Sequence, residues 1–297
     1  MELRHLRCFL AVADELHFAR AAERLHVDQS PLSRTIKELE EELGTLLFAR
    51  TTRRTRLTRA GRLFLERVPY VFTALDQARA SVQDAAAGYY SQLRIALSDG
   101  LSPERLSQLM ALCRQEDPDV AIRFFEVPLA QQLKGLHEDL YDLGFAQSAD
   151  VDDGILAVPA WSEPLHVAVP ARHPLLAYKT IPLEEVLRYP LVMGDPEYCE
   201  GYCRQIDRIL RSVDQTPLVT EQVKSLDLMM ALVAAGYALG LAGASQILAS
   251  RESGIVARPL DRKAVLTTWL LRPDIEAPES LERFVERVAS IDAASER

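Results

Sequence analysis

Cysteine is scarce, with four residues in 297 and no Cys-x-x-Cys spacing. That excludes a disulfide framework and the usual zinc-ribbon patterns. Aromatic residues make up only 7%. No apolar run reaches the roughly 18–20 residues that a bilayer crossing needs, so no membrane partner is expected. Glu2, Arg4, His5 and Arg7 crowd the first ten positions and predict no signal peptide. Also missing are G-x-S-x-G, G-x-x-x-x-G-K-S/T, H-E-x-x-H and G-x-G-x-x-G. With six histidines and four cysteines, no nucleophile–base pair stands out. No catalytic residue, metal site or cofactor is therefore expected, and the chain reads as a non-enzyme. What is present is a globular balance, 48% hydrophobic and 26% charged, with length for two or three units. A reducing cytoplasm is the expected location.

The net charge of −9 argues against nucleic acid until its distribution is read. Residues 1–87 hold 14 basic and 12 acidic side chains, a net of +2, which leaves −11 for the remainder. Between Arg50 and Arg67 stand seven arginines and a single acid, Glu66. Such a stripe reads either as an anion-binding surface or as a solvated charge run.

Local pattern favours the first. Leu3, Leu6, Phe9, Leu10 and Ala13 recur at helical spacing. A second short helix fits 18–25, with small Ala21 and Ala22 allowing close approach. Asp28 is a good N-cap for a third helix, Pro31 suits its first turn, and Gly44 ends it. Two short helices joined by a tight turn describe a helix-turn-helix. Its second helix reads base edges with N-terminal residues, here Gln29, Ser30, Pro31, Ser33 and Arg34. Gln suits adenine, Arg suits guanine, and Pro31 can meet a thymine methyl. Residues 46–58 read as a hairpin wing, with Arg50, Arg53 and Arg54 on backbone phosphate. A long helix follows over about 58–87, with Pro69 expected to kink it and Gly88 to end it. Phe64, Val68, Val71, Leu75, Ala78 and Val82 are spaced 4, 3, 4, 3, 4, an a/d seam suited to pairing with a second copy. Packing within one chain is the alternative.

The run from Phe18 to Arg34, followed by Ile36, Leu39-Glu40, Leu43-Gly44, Leu47-Phe48, Arg50 and Leu57-Thr58-Arg59-Ala60-Gly61, resembles the N-terminal signature of LysR-type transcriptional regulators. One departure is Asp28, where the family usually has Ser, and its charge near phosphate is expected to alter affinity or operator preference. The resemblance implies an α/β chain overall: an N-terminal winged helix-turn-helix, a long linker helix and a two-lobed α/β effector domain of periplasmic-binding-protein type. It places the DNA-binding domain at 1–58, the dimerisation helix at 59–88 and the effector-binding domain at 89–297. Within the last, lobe I comprises 89–160 and 268–297, and lobe II 161–267. It further implies double-stranded promoter DNA, a small-molecule effector and RNA polymerase as partners, with homodimers through the linker helix assembling into tetramers.

The C-terminal pattern agrees. Strands fit 93–97, 120–127, 141–146, 166–169, 191–193, 217–220, 238–241 and 265–271. Helices fit 103–115, 129–138, 197–213, 226–235, 244–250 and 278–291. Such alternation gives parallel-rich sheets covered on both faces. Ligands of open α/β sheets sit at strand C-termini beside helix N-termini. Ser98, Asp99 and Gly100, then Gly194 and Asp195, then Lys224 and Ser225, and the Ala242-Gly243 loop meet this description, with Gln147 as a fifth wall. Each loop could instead be only a capped strand-to-helix turn. Ser98, Lys224 and Ser225 suit a carboxylate, whereas Asp99 and Asp195 do not. Either those acids are solvent-facing caps, or the effector carries a cationic or hydroxyl group.

Cys199 and Cys203 fall one helical turn apart and read as inert core thiols, with metal binding or oxidant sensing as the alternative. Cys8 and Cys113 read as core, and His5, His17 and His26 as surface. Trp161 is expected at the crossing between lobes. Two rival classes remain: a periplasmic-type binding protein whose first ninety residues only oligomerise, and an enzyme on the two-lobed fold.

Overall fold

The computed structural model describes residues 1–50, 55–86, 88–89, 91–250 and 252–295, and of Arg50 and residues 292–295 the backbone only. Contacts divide the chain into Met1–Gln83 and Asp84–Arg297.

In the first unit, α1 (Leu3–Glu15), α2 (Phe18–Leu25) and α3 (Gln29–Leu43) precede the two-stranded hairpin β1 (Phe48–Arg50) and β2 (Thr55–Leu57). The apolar faces read from the sequence close on one core. Phe9, Ala21, Ile36 and Leu39 are fully buried, and the Phe9 ring lies 5.4 Å from Phe48 and 4.9 Å from Phe64. Gly44 ends α3 with φ +67°, a conformation that suits glycine. The long helix α4 (Arg59–Ala86) then runs uninterrupted through Pro69. Thr58 starts it: its hydroxyl accepts from the Gly61 N–H at 2.9 Å and donates to the Leu46 carbonyl at 2.7 Å. Gly61 is needed there, because a Cβ would stand 2.1 Å from the Leu47 carbonyl oxygen.

The expected dimer seam divides. Val68 is 1% exposed and joins the core of the first unit, with Phe64 and Phe72 packed against it. Those positions are used within the chain, a correction to the whole-seam expectation. Val71 and Val82 are 44% and 71% exposed.

The second unit alternates as expected: β3 (Ser91–Leu97), α5 (Pro103–Glu116), β4 (Val120–Glu126), α6 (Leu129–His137) and β5 (Leu143–Ala146), then β6 (Ile155–Pro170). Next come a short 3-10 turn, α7 (Leu183–Val186), β7 (Leu191–Gly194), α8 (Glu200–Leu210), β8 (Val219–Val223), α9 (Leu226–Ala234), β9 (Leu239–Gly243), α10 (Ala244–Ala249), β10 (Ile255–Pro259), β11 (Val265–Pro273) and α11 (Glu279–Ser295). Sheet order is β4-β3-β5-β11-β6-β9-β7-β8, with β10 also on β6. β3, β4 and β5 pair in parallel, as do β7, β8 and β9, while β6 and β11 run antiparallel to their neighbours.

Two buried cores give the two lobes. Leu93, Leu109, Phe145 and Phe284 centre the first, with α11 packed onto it. Val167, Leu191, Ile206 and Leu241 centre the second. The 16-residue β6 crosses between them. The sequence reading gave only 166–169 of it, and Pro159 and Pro164 lie inside the strand. Both sit where pairing changes. Trp269 faces Pro159 beside a register shift, and Pro164 is the last partner of β11 before β6 turns to β9.

Candidate functional site

The helix-turn-helix is built by capping and a buried acid. The His17 Nδ1 accepts from the Arg20 N–H at 3.4 Å and starts α2. Asp28 holds the cap position of α3 but makes no cap bond with its side chain, which differs from the sequence reading. Leu32, Ile36 and Leu39 turn inward, which leaves Gln29, Ser30, Pro31 and Arg34 exposed on the other face and Ser33 half-buried. Lys37, exposed one turn beyond Ser33 and paired with Glu41 at 3.3 Å, was not singled out from the sequence. Glu40 is 5% exposed, and its Oε1 accepts the N–H groups of Leu47 at 2.9 Å and Phe48 at 3.0 Å. This carboxylate fixes the hairpin to α3. Arg56 is exposed between half-buried Thr55 and Leu57. Arg53 and Arg54, expected on phosphate, lie outside the described residues. His5 is a correction: it is 7% exposed, because its ring accepts from the Glu2 N–H and caps α1.

In the second unit, a cleft of about 580 Å³ opens between the lobes. Asp99, Gly100, Gln147, Gly194, Lys224 and Ser225 line it, together with Tyr198, Met229 and Gln246, which the sequence reading missed. Ser98 and Asp195 do not line it. The Ser98 hydroxyl is buried and donates to Gln132 Oε1 at 2.9 Å, while Gln132 Nε2 ties the carbonyls of Ala96 and Phe145. Asp195 Oδ1 accepts from the Glu197 N–H at 2.9 Å. That turn delays α8 to Glu200, so Cys199 stands at the cap rather than inside the helix.

Asp99 matches neither expectation for it. It sits at φ +63° after β3, and its carboxylate accepts the N–H groups of Gln147 at 3.1 Å and Tyr202 at 3.2 Å, with Gly201 also bonding to it. It caps α8 of the second lobe from a loop of the first. Gly201 permits this approach, since a Cβ would come within 2.8 Å of Gln147 backbone and of Asp99 itself. Further bonds join the lobes. Gln246 Nε2 donates to the Gly100 carbonyl at 3.0 Å, Gln205 Nε2 to the Gln147 carbonyl at 2.7 Å, and Ser245 to Ser102 at 2.9 Å.

Burial pushes the Asp99 carboxyl above its ordinary value, against the pull of its backbone donors. Between the ordinary and the raised value the folded chain holds more protons. The contribution is therefore present below pH about 3.8 and lost as pH rises through the raised value. Asp99→Ala is expected to cost several kcal/mol, at about 1–3 per donor left unpaired. Asp99→Asn sheds the buried charge and keeps one acceptor, so it should lie within about 1 kcal/mol of wild type at pH 7. The wild type should gain on it as pH falls. Urea unfolding at pH 7 and pH 5 measures both; equal losses for Asn and Ala would show that the cap is not what Asp99 supplies.

Cys203 is buried, whereas Cys199 is half-buried and lines the cleft. Cys203 donates to the Gly194 carbonyl at 3.2 Å. Burial, helped by Asp99 and Asp195, pushes Cys199 to about 11, and burial with Cys199 beside it pushes Cys203 to about 12. Both are thiols at neutral pH, the form that is neither nucleophile nor metal ligand. Among the described residues no group of three His, Cys, Asp or Glu side chains is placed to hold a metal. Cys113 is buried and Cys8 only half-buried. Trp161 lies on the crossing strand β6, as expected, and its ring stacks on Phe145 at 5.1 Å in the first lobe's core. No helix among the described residues is long and apolar enough to cross a membrane.

Comparison with known proteins places both units. A model described as "Bacterial regulatory helix-turn-helix protein, lysR family" matches residues 3–62, and one described as "LysR substrate binding domain" matches residues 86–291. YnfL of Escherichia coli, described as an uncharacterized HTH-type transcriptional regulator, is 34% identical over 274 residues, covering 92% of each chain. The crystal structure of CbnR, a LysR family transcriptional regulator, superposes with a TM-score of 0.77 at 25% identity, over 98% of this chain and 99% of that one. Full-length CbnR complexed with target DNA gives a TM-score of 0.76 at 26% identity, over 98% of this chain and 100% of that one. The rival readings, a periplasmic-type carrier and an enzyme, both fall on these matches. The chain belongs to the LysR family of bacterial transcriptional regulators.

Proposed function

We propose that this regulator reads promoter DNA with the exposed first turns of α3 and changes transcription when a small molecule enters the cleft between its lobes. Gln29, Pro31 and Arg34 contact bases, Ser30 and Ser33 bases or nearby phosphate, and Arg50, Arg53 and Arg54 the backbone. Gly100, Gln147, Gly194, Lys224 and Ser225 meet the effector; Ser98, Asp99 and Asp195 shape the loops around them. Residues 1–58 act as the DNA-binding domain, 59–88 as the dimerisation helix and 89–297 as the effector domain, with lobe changes at 160/161 and 267/268. Dimers form through the exposed part of the α4 seam and assemble into tetramers that engage RNA polymerase in the cytoplasm.

One observation carries the reading: a polar recognition surface and a 580 Å³ cleft with apolar walls occur on one chain. Clefts of this size and lining bind small molecules. CbnR, of the same fold, is solved on its target DNA. A ligand shifts transcription only if it binds one arrangement better than another. Leu226 lines the cleft, and Leu226→Trp would fill it. In a reporter strain that variant is expected to keep operator occupancy and lose the metabolite response. An unchanged dose curve would place the effector elsewhere.

A further inference from the structure

We propose that the effector carries an N–H donor, an amide or an amine on a small apolar body, and that the cleft disfavours carboxylates; this rests on reading the cleft as the effector site. Several of the groups with which such a cleft would hold an anion are engaged by the protein itself. In the first turn of α8 the N–H groups of Gly201 and Tyr202 are spent on Asp99. At the start of α5, Pro103 has no N–H, Glu104 adds a negative charge, and the Ser102 hydroxyl accepts from Arg105. At the start of α9, the Ser225 hydroxyl accepts from the Leu228 N–H at 3.3 Å. The cationic Lys224 has its ammonium 3.7 Å over the Tyr198 ring. Among the described residues no arginine lines the cleft, and Asp99 and Glu126 outnumber Lys224.

The polar group left over is an acceptor. Gln147 is 3% exposed, lines the cleft, and has no partner for its Oε1 among the described residues. Its amide cannot be turned around. Nε2 donates to the Gly100 carbonyl at 3.1 Å, and a flip would set two oxygens against each other. That carbonyl also accepts from Gln246, so both its lone pairs are used. A buried acceptor without a donor is costly, and a ligand N–H relieves that cost. Leu97, Leu101, Leu106, Val127, Leu226 and Met229 supply the apolar walls.

Benzamide, benzylamine and benzoate present an amide, an amine and a carboxylate on the same ring, and their cyclohexane counterparts repeat the series. Calorimetric titration of each into the full-length protein is expected to show the amide or amine binding at least tenfold tighter than the matched carboxylate. Gln147→Leu should weaken that binding at least tenfold. Gln147→Leu and Gln147→Glu both withdraw a donor from the Gly100 carbonyl, so for both the readout is the ratio of amine to carboxylate affinity, not affinity alone. That ratio should fall in Gln147→Leu, which has no acceptor, and rise in Gln147→Glu, which adds a negative charge. Tighter binding of the carboxylate, lost in Lys224→Met and in Leu226→Trp, would overturn the assigned class and leave the cleft as the effector site. No binding by any probe, or binding that Leu226→Trp leaves unaltered, would overturn the class and the cleft reading together.

Discussion

Leu75→Glu is expected to lower operator affinity by about two to four orders of magnitude, the gain normally made by tethering two binding modules. Phe64 and Val68 are held within the chain, so a second copy is offered Val71, Leu75, Ala78 and Val82. Val71 and Val82 are exposed, and Leu75 stands half-buried between them. A carboxylate at a desolvated a/d position costs far more than one methyl group gains. With the helices apart, each reading head binds alone, and half-site affinity is all that remains. Sedimentation and anisotropy on one operator fragment report both quantities. An unaltered oligomer with unaltered affinity would remove α4 from the dimer interface.

Glu40→Ala should unfold the DNA-binding unit more readily than any exposed substitution in it. Its carboxylate supplies the acceptor for the Leu47 and Phe48 N–H groups. Leaving two buried donors unpaired costs about 1–3 kcal/mol each, so a loss of about 2–6 kcal/mol is expected in urea unfolding. Glu40→Gln keeps an acceptor oxygen and should lose less than half as much. The hairpin then loses its seat on α3, and DNA affinity should fall with it. A Glu40→Ala protein within 0.5 kcal/mol of wild type, roughly the scatter of ordinary surface changes, would contradict this role.

Much of the fold was legible because it is written in local periodicity. Ile36 and Leu39 announce the buried face of α3, and strand–helix alternation announces the two lobes. What could not be read locally is polar and long-range. Glu40 serves Leu47 and Phe48, Gln132 ties two strands, and Asp99 reaches Tyr202 over a sequence separation of 103 residues. A buried acid looks like any other acid until its partners are in place. Of β6 only 166–169 was read: Pro159 stands beside a register shift and Pro164 where the strand passes from β11 to β9, both inside one continuous strand. In the cleft, the strand-end rule found Gly100, Gly194, Lys224 and Ser225. It failed for Ser98 and Asp195 because both side chains turn to neighbouring protein groups. Tyr198 was missed because the helix was read as starting at 197, whereas the loop runs on to Glu200, and Met229 lies inside α9, beyond the loop that the rule inspects.

Arg34 tests most directly whether α3 reads sequence. The measurement is fluorescence anisotropy of wild type and Arg34→Ala on the operator and on a scrambled duplex of equal length, at one fixed salt concentration. A bidentate contact to guanine is worth about 1–3 kcal/mol, so operator affinity should fall about 5- to 150-fold. Binding to the scrambled duplex should change much less, because that term comes from phosphate. Equal affinity of the two proteins for the operator would contradict the assignment of α3 as the reading helix.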